Sequence, residues 1–225
     1  YLECGGGRTP MVEWVTSKRM DAGEAGKIEV ISPEITNVPP ESTLPLAIVV
    51  EVAGRKMEED YEPILERQIH RLRNYAHGVW HIGQRDIAWL RITKSAMEKG
   101  FRLYHIGALL HAKLHQDFGQ VFDKMQIKLY TEEDKVREIL EKARAVYKAR
   151  DTRIESMTDE TTDIYYSCTL CQSFAPNHVC IITPEKTGLC GSYNWMDCKV
   201  AHEINPTGSN QPVPKRETID ANLGQ

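Results

Sequence analysis

Four cysteines near one end of the chain have the residue type and spacing that a metal centre requires. Cys168, Cys171, Cys180 and Cys190 fall within 23 residues, with gaps of two, eight and nine residues between them. The short gap lets neighbouring thiolates bind one centre without strain, and the longer gaps let the chain wrap around its far side. Four thiolates so spaced can ligate either a zinc ion or a four-iron, four-sulfur cubane. We therefore expect a bound metal rather than four unligated thiols.

Two features of this segment favour the cubane over zinc, although spacing alone leaves both open. Many structural zinc sites use two short-gapped pairs of ligands, whereas here only Cys168 and Cys171 are close in sequence. Apolar side chains between the cysteines would also give a cluster the shell that controls its dielectric surroundings. These side chains are Phe174, Val179, Ile181, Ile182 and Leu189.

The other two cysteines, Cys4 and Cys198, and the nearby His178 are not predicted to bind the metal. Cys198 lies eight residues beyond Cys190 and is expected to be a small buried side chain, as is Cys4 near the other end of the chain. His178 lies between two of the four cysteines and could donate a hydrogen bond to a cluster sulfur, but nothing in the pattern decides this.

The composition indicates a soluble chain of one or two domains. It has 225 residues, of which 41% are hydrophobic and 27% charged, with a formal net charge of -4. Nucleic-acid binding needs a basic surplus, which is missing, and no apolar run approaches the roughly 18 residues that span a bilayer. Clustered cysteines in a chain of ordinary size indicate metal binding in a reducing compartment, so we expect a cytoplasmic protein. A first residue other than Met suggests a fragment.

The pattern of predicted secondary structure changes near residue 150. Residues 1–150 alternate between strand and helix patterns, so we predict a multidomain α/β chain whose α/β middle domain is followed, over residues 151–225, by the start of a loop-rich α+β domain that holds the metal. The clearest strand is the β-branched run 46–52, and the clearest helix follows the capping residue Thr131. We also predict strands at 27–31, 86–92, 101–106 and within 121–130, and helices at 58–77, 93–99 and 108–118.

The whole cysteine segment, from Tyr165 to Trp195, resembles the cluster-binding segment of acetyl-CoA synthase. That family is the nickel–iron–sulfur component of the CO dehydrogenase/acetyl-CoA synthase system. The likeness is carried by the four-cysteine spacing together with its flanking residues. It continues through 205–212 and 220–225 and extends back over the α/β region, so it covers essentially the whole chain.

The resemblance implies a particular metal centre. The family's active site is a cubane joined through one cysteine sulfur to a dinuclear nickel unit. The resemblance therefore implies that the four cysteines ligate the cubane, that Cys171 also binds the proximal nickel, and that Phe174 lies beside that nickel. The family's Cys-Gly-Cys site for the distal nickel has no counterpart in this sequence. The chain alone is thus expected to bind the cubane without completing the nickel unit, and to be inactive by itself.

The resemblance also implies a reaction and partners. The family forms acetyl-CoA from CO, a methyl group delivered by a corrinoid iron–sulfur protein, and CoA. The CO dehydrogenase subunit and ferredoxin are its other implied partners. On the residues alone, two alternatives stay open, namely a 4Fe–4S electron-transfer module and a zinc-stabilised interaction domain.

A second group of residues could bind CoA. Arg67 and Arg71 lie four residues apart on a predicted helix and so share a face. Arginines beside a tryptophan could hold the phosphates and stack on the adenine of CoA, although a solvated helix face and a core indole are the more common outcome. The family's middle domain is arginine-rich and has a tryptophan implicated in CoA binding. Trp80 is the matching position, so the resemblance implies CoA contacts at Trp80, Arg67 and Arg71.

Overall fold

The structure is a computed structural model that describes residues 1–31, 35–76, 89–170, 176–191 and 193–217. Its internal contacts divide the chain into two compact units, Tyr1–Lys148 and Ala149–Gln225. Helices and strands occur in both units, so the predicted α/β class is confirmed. Within the described ranges, no helix is both long and apolar enough to cross a membrane.

The described residues form ten strands and five α-helices. The strands are β1 (Leu2–Gly5), β2 (Met11–Ser17), β3 (Lys27–Ile31), β4 (Thr43–Leu44), β5 (Leu46–Ala53), β6 (Trp89–Ile92), β7 (Lys124–Tyr130), β8 (Ile164–Cys168), β9 (Cys180–Ile182) and β10 (Asn210–Pro214). The helices are α1 (Glu62–Ala76), α2 (Lys94–Glu98), α3 (Leu103–Phe118), α4 (Glu133–Glu155) and α5 (Trp195–Ile204). The predicted strands at 27–31, at 46–52 and within 121–130 are therefore confirmed, as are the helices near 58–77 and 93–99 and after Thr131. Of the strand predicted at 86–92, residues 86–88 lie outside the described residues and the rest is β6.

The first unit is organised around a four-stranded sheet in the order β2, β5, β7, β3. Strand β5 pairs in parallel with β2 and antiparallel with β7, which pairs in parallel with β3. Ala47 and Val49 on one face of β5 pack in a cluster with Val136 and Ala143 of α4. Both faces of β5 are covered, which explains why the run 46–52 is apolar throughout rather than alternating.

The other face of this sheet is covered by α3, and here one sequence prediction is wrong. The strand predicted at 101–106 is absent, because α3 is one continuous helix from Leu103 to Phe118. Its buried side chains recur at helical spacing, and Gly107 lets the helix approach the sheet closely. A Cβ at Gly107 would lie 2.6 Å from Cγ2 of Ile28. Packing against the sheet therefore overrides the local strand pattern of these residues.

Helix α1 is fixed to the edge strand β2 by its own carboxylates. The backbone N–H of Ser17 and its hydroxyl both donate to Oε1 of Glu62, at 2.6 and 2.7 Å, and the N–H of Val15 donates to Oε1 of Glu66 at 3.0 Å. An edge strand otherwise presents a row of unpaired backbone groups. Glu62 and Glu66 are four residues apart and so lie on one face of α1, which holds the helix in register with the strand.

A smaller sheet of the first unit has the order β4, β1, β6. Glu3 of β1 is buried and accepts hydrogen bonds from Arg91 of β6 through Nε at 3.0 Å and Nη2 at 2.6 Å. The next residue, Cys4, is also buried, as predicted. Burial raises the pKa of the Cys4 thiol to about 12, so this thiol stays protonated at neutral pH.

The second unit contains an antiparallel sheet in the order β10, β8, β9, against which α5 packs through β8 and β10. None of these elements was predicted from the sequence. Strands β8 and β9 are short, and β10 contains Pro212 and Pro214, which argue against a strand in sequence. The prolines are tolerated because β10 lies at an edge of the sheet.

Replacing Glu62 by alanine should destabilise the first unit. The N–H and hydroxyl of Ser17 would lose their acceptor at a partly buried position, and an unmet buried donor costs about 1–3 kcal/mol. Urea unfolding followed by circular dichroism measures the loss. Glu62→Gln keeps an acceptor oxygen and should lose less. Glu138→Gln, in the exposed pair with Lys142 on α4, should leave the midpoint nearly unchanged. Equal changes of the urea midpoint in Glu62→Ala and Glu138→Gln would contradict the role of Glu62 as the acceptor that holds α1 on β2.

Candidate metal centre

Cys168 and Cys180 face each other in the sheet of the second unit. Cys168 is the last residue of β8, Cys180 is the first residue of β9, and the two are directly opposed in the antiparallel ladder. Opposed residues on neighbouring antiparallel strands project from the same face, with Cβ atoms about 4.5–5.5 Å apart. The fold therefore brings together two of the four predicted ligands that are distant in sequence.

Cys190 joins this pair at one apolar cluster of the second unit. The buried members of the cluster are Tyr166, Cys168, Cys180, Ile182, Tyr193 and Cys198, and Cys190 and Trp195 are partly buried and pack against it. Three of the four predicted ligands thus lie in one place. The fourth, Cys171, lies outside the described residues, as does Phe174.

Two residues with positive φ shape the loops that carry Cys180 and Cys190. Asn177, three residues before Cys180, has φ 67, and Gly191, directly after Cys190, also has φ 67. This left-handed region favours glycine and tolerates asparagine, whose short polar side chain can bond locally. These two positions let the chain reverse direction next to each thiol.

Thiolate donors such as these suit a zinc ion as well as an iron–sulfur cubane. A zinc ion needs sulfur ligands about 3.8 Å apart, because tetrahedral Zn–S bonds are about 2.3 Å long. In a cubane each thiolate binds a different iron, so the ligands stand further apart. Soft thiolates in an apolar cluster also suit iron–sulfur chemistry.

Polar groups contact cysteine sulfurs in this unit; the sequence left a contact of His178 open and did not indicate one of Asn210. Nε2 of His178 lies 3.3 Å from Sγ of Cys180, and Nδ2 of Asn210 donates to Sγ of Cys198 at 3.1 Å. Cys198 is buried as predicted, but it lies in the same cluster as the predicted ligands. The nearness of His178 to Cys180 in sequence was a usable signal. Asn210 could not be found that way, because only the pairing of β10 with β8 brings it here.

Aromatic side chains line the cluster. The rings of Tyr166 and Trp195 meet edge-on with centroids 5.9 Å apart, and the indole N–H of Trp195 donates to the carbonyl oxygen of Ile164 at 2.8 Å. Burial, and then the negative charge of Glu203 and the nearby Cys198, raise the pKa of the Tyr166 phenol. The phenol therefore stays neutral at physiological pH, and the cluster keeps its apolar character.

The predicted CoA residues belong to the first unit. Arg67 and Arg71 are both on α1 and both partly buried, and their four-residue spacing places them on one face of that helix. Trp80 lies outside the described residues. CoA contacts at these three residues therefore stay a prediction.

Comparison with known proteins decides the family. Residues 1–136 match the family described as the beta subunit of the CO dehydrogenase/acetyl-CoA synthase complex, and residues 147–225 match the family described as the C-terminal part of the ACS/CODH beta subunit. The chain belongs to the CO dehydrogenase/acetyl-CoA synthase beta-subunit family. The resemblance drawn from the cysteine segment is thereby confirmed.

Relatives within the family come from bacteria and archaea. Carbon monoxide dehydrogenase/acetyl-CoA synthase subunit alpha of Moorella thermoacetica is 52% identical over 220 residues, covering 98% of this chain and 30% of that protein. Acetyl-CoA decarbonylase/synthase complex subunit beta of Methanopyrus kandleri is 43% identical over 225 residues, covering 100% of this chain and 48% of that protein. Acetyl-CoA decarbonylase/synthase complex subunit beta 1 of Methanocaldococcus jannaschii is 43% identical over 224 residues, covering 100% of this chain and 29% of that protein. The chain therefore spans less than half the length of these curated relatives.

Replacing Asn177 by valine should weaken the candidate site. A β-branched residue is a clear outlier at positive φ, and holding an L-residue in this region costs about 1–2 kcal/mol. We expect a lower urea midpoint for the second unit and less bound iron after anaerobic reconstitution. Asn177→Gly is the matched control and should retain both. If valine were tolerated as well as glycine, the left-handed turn would not be needed to position Cys180.

Proposed function

We propose that this chain is the cluster-bearing part of an acetyl-CoA synthase, which forms acetyl-CoA from CO, a corrinoid-bound methyl group and CoA. The observation that carries the proposal is the convergence of Cys168, Cys180 and Cys190 on one apolar cluster of a chain that belongs to this family. The direct opposition of Cys168 and Cys180 in the ladder supplies the geometry. Acetyl-CoA synthesis by this route is a form of carbon fixation.

The four cysteines are proposed to hold a 4Fe–4S cubane, with Cys171 also binding a nickel ion and Phe174 limiting access to it. When bound, nickel with soft sulfur ligands would supply the site at which the methyl group and CO are joined and then transferred to the CoA thiol. The second nickel site of the family is not assigned to any residue of this chain. A cubane on four thiolates matches the common ligation of such clusters.

The protein's own part in this chemistry is to place the thiolates and to exclude water. Cys168 and Cys180 are both buried and are held by backbone pairing, so their separation is set before any metal binds. Tyr193 and Ile182 pack beside them and keep the surroundings apolar. Burial in apolar surroundings makes an unpaired thiolate costly. A thiolate that ligates a metal would have this cost offset by the positive charge of the metal.

The first unit is proposed to bind CoA through Trp80, Arg67 and Arg71. Arg67 and Arg71 are on the helix that Glu62 and Glu66 pin to strand β2. These hydrogen bonds fix the position of the helix backbone from which Arg67 and Arg71 project. Planar guanidinium groups bind phosphate oxygens in a bidentate manner, which suits the phosphates of CoA.

The proposal also names partners and a location. The relatives are named as subunits of CO dehydrogenase/acetyl-CoA synthase or acetyl-CoA decarbonylase/synthase complexes. By this kinship the chain is proposed to act in such a complex, with a CO dehydrogenase subunit, a corrinoid iron–sulfur protein as methyl donor, and ferredoxin. A cytoplasmic location suits cysteines that bind metal as thiolates, because they need a reducing compartment.

Metal analysis of anaerobically reconstituted protein tests the cluster. We expect about four iron and four sulfide per chain, as a cubane requires. Cys168→Ala should lose most of this iron because it removes a ligand. Cys198→Ala is the matched control, since that thiol is buried in the same cluster but is not a proposed ligand, and it should keep its iron. One zinc without sulfide would overturn the cluster and favour a zinc-stabilised interaction domain.

Nickel content tests the role assigned to Cys171. In the full-length protein, Cys171→Ala should lose the nickel that its sulfur bridges, because no other proposed ligand joins the cubane to that ion. Elemental analysis and nickel X-ray absorption measure this loss, with Cys198→Ala again as the control that keeps nickel. Nickel retained at this site in Cys171→Ala would refute the bridging assignment. A cubane with no nickel in the unsubstituted protein would instead indicate an electron-transfer module.

A further inference from the structure

His178 contacts a proposed ligand sulfur in this chain. Its Nε2 lies 3.3 Å from Sγ of Cys180, within hydrogen-bond distance for sulfur. Cys180 is buried and begins β9, whereas His178 lies nearer the surface. The contact thus joins a thiol inside the apolar cluster to a ring near the surface.

The local backbone explains why this ring reaches the sulfur. The left-handed residue Asn177 turns the chain directly before His178. From there the side chains alternate, since Val179 is exposed and Cys180 is buried. The contact between Nε2 of His178 and Sγ of Cys180 places both side chains on the same side of the chain, next to the apolar cluster.

Metal binding fixes the direction of this hydrogen bond. In the free protein either partner could donate, because the thiol and one ring nitrogen can each carry a proton. A cysteine that binds iron does so as a thiolate and has no proton left to donate. The contact can then persist only with a proton on Nε2 and with the sulfur as acceptor.

We infer that His178 donates a hydrogen bond from Nε2 to the Cys180 thiolate of the bound cluster and thereby raises the reduction potential of that cluster. The inference rests on the proposed function, because it requires Cys180 to be a cluster ligand. Reduction adds negative charge to the cluster and its sulfurs. A donor aimed at one of these sulfurs favours the more negative state, and hydrogen bonds to sulfur are among the features that set the potentials of such clusters. His178 is thus a positioning residue that acts through Cys180.

A second contact in the same unit provides an internal comparison. Asn210 donates to Sγ of Cys198 at 3.1 Å, and Cys198 belongs to the same apolar cluster without being a proposed ligand. Both contacts are N–H···S hydrogen bonds to cysteine. Only the His178 contact reaches a sulfur that would share electrons with iron, so only its loss should move the potential.

The test uses the full polypeptide reconstituted anaerobically with iron and sulfide, with nickel omitted so that the cubane is the one redox centre. His178→Leu removes the donor, His178→Gln keeps an N–H donor of similar reach, and Cys198→Ala removes the comparison contact. Iron and sulfide are quantified first, and the potential is then measured by a titration followed by electron paramagnetic resonance.

We expect His178→Leu to shift the potential to a more negative value at unchanged iron content. A tenfold lower ratio of reduced to oxidised cluster at a fixed ambient potential corresponds to about 59 mV for a one-electron couple. His178→Gln should restore most of the potential, and Cys198→Ala should not change it. An unchanged potential in fully loaded His178→Leu overturns this inference alone. Absence of iron and sulfide from the unsubstituted protein overturns the proposed function and this inference with it.

A measurement on the unsubstituted protein covers the case in which His178→Leu does not fold or load. Histidine is labelled with ¹⁵N, and the reduced cluster is studied by electron–nuclear double resonance. A ring nitrogen that donates to a ligand sulfur should give a resolved ¹⁵N coupling, which His178→Gln should lack. Absence of that coupling in a fully loaded cluster contradicts the hydrogen bond directly.

Discussion

The register of one antiparallel strand pair governs the candidate metal centre. Cys168 and Cys180 can serve the same centre only because they are directly opposed across β8 and β9. A shift of one residue in this pairing would send one side chain to the opposite face of the sheet. The adjacent pair, Tyr166 and Ile182, is buried in the same apolar cluster. Burial of these two side chains penalises any shift, so the apolar core of the second unit also fixes the positions of the thiols.

In the first unit, carboxylates rather than buried apolar side chains fix the position of the helix that bears the proposed functional residues. Strand β2 is an edge strand, and its outward N–H groups are met by Glu62 and Glu66 of α1. The same helix bears Arg67 and Arg71, so the contact that closes the sheet edge also sets the position of the proposed phosphate-binding groups. Arg67, Arg71, Cys168 and Cys180 are thus attached to elements that are fixed by their neighbours, as pre-organised sites require.

Sequence patterns predicted those parts of the fold in which local preference and tertiary packing agree. The β-branched run of β5 and the amphipathic helices α1 and α4 belong to this group. The start of α3 was mispredicted because the close approach of Gly107 to Ile28, which favours a helix there, is a contact between distant residues. Strands β8 and β9 were missed because strands of five and three residues carry almost no periodicity.

The candidate site, like the fold, was predictable from the sequence only in part. The spacing of the cysteines led to a prediction of four ligands, of which Cys168, Cys180 and Cys190 lie at one apolar cluster. It could not show that Cys198 would lie among them or that Asn210 would meet its sulfur, since these facts depend on how α5 packs against the sheet and how β10 pairs with β8. Cys171, Phe174 and Trp80 stay predictions, because they lie outside the described residues.

Apolar surroundings and the His178 contact act on a bound cluster in opposite senses. Aliphatic side chains flank the proposed ligands in sequence, and Val179 and Leu189 are 44% and 78% exposed. Single exposed aliphatic residues are common and do not by themselves mark an interface. Beside the thiols, the buried side chains of Ile182 and Tyr193 would instead keep the local dielectric low, which disfavours the extra charge of a reduced cluster. The same low dielectric strengthens the hydrogen bond from His178. The potential of such a cluster would therefore depend on the balance between the apolar surroundings and the hydrogen bond from His178.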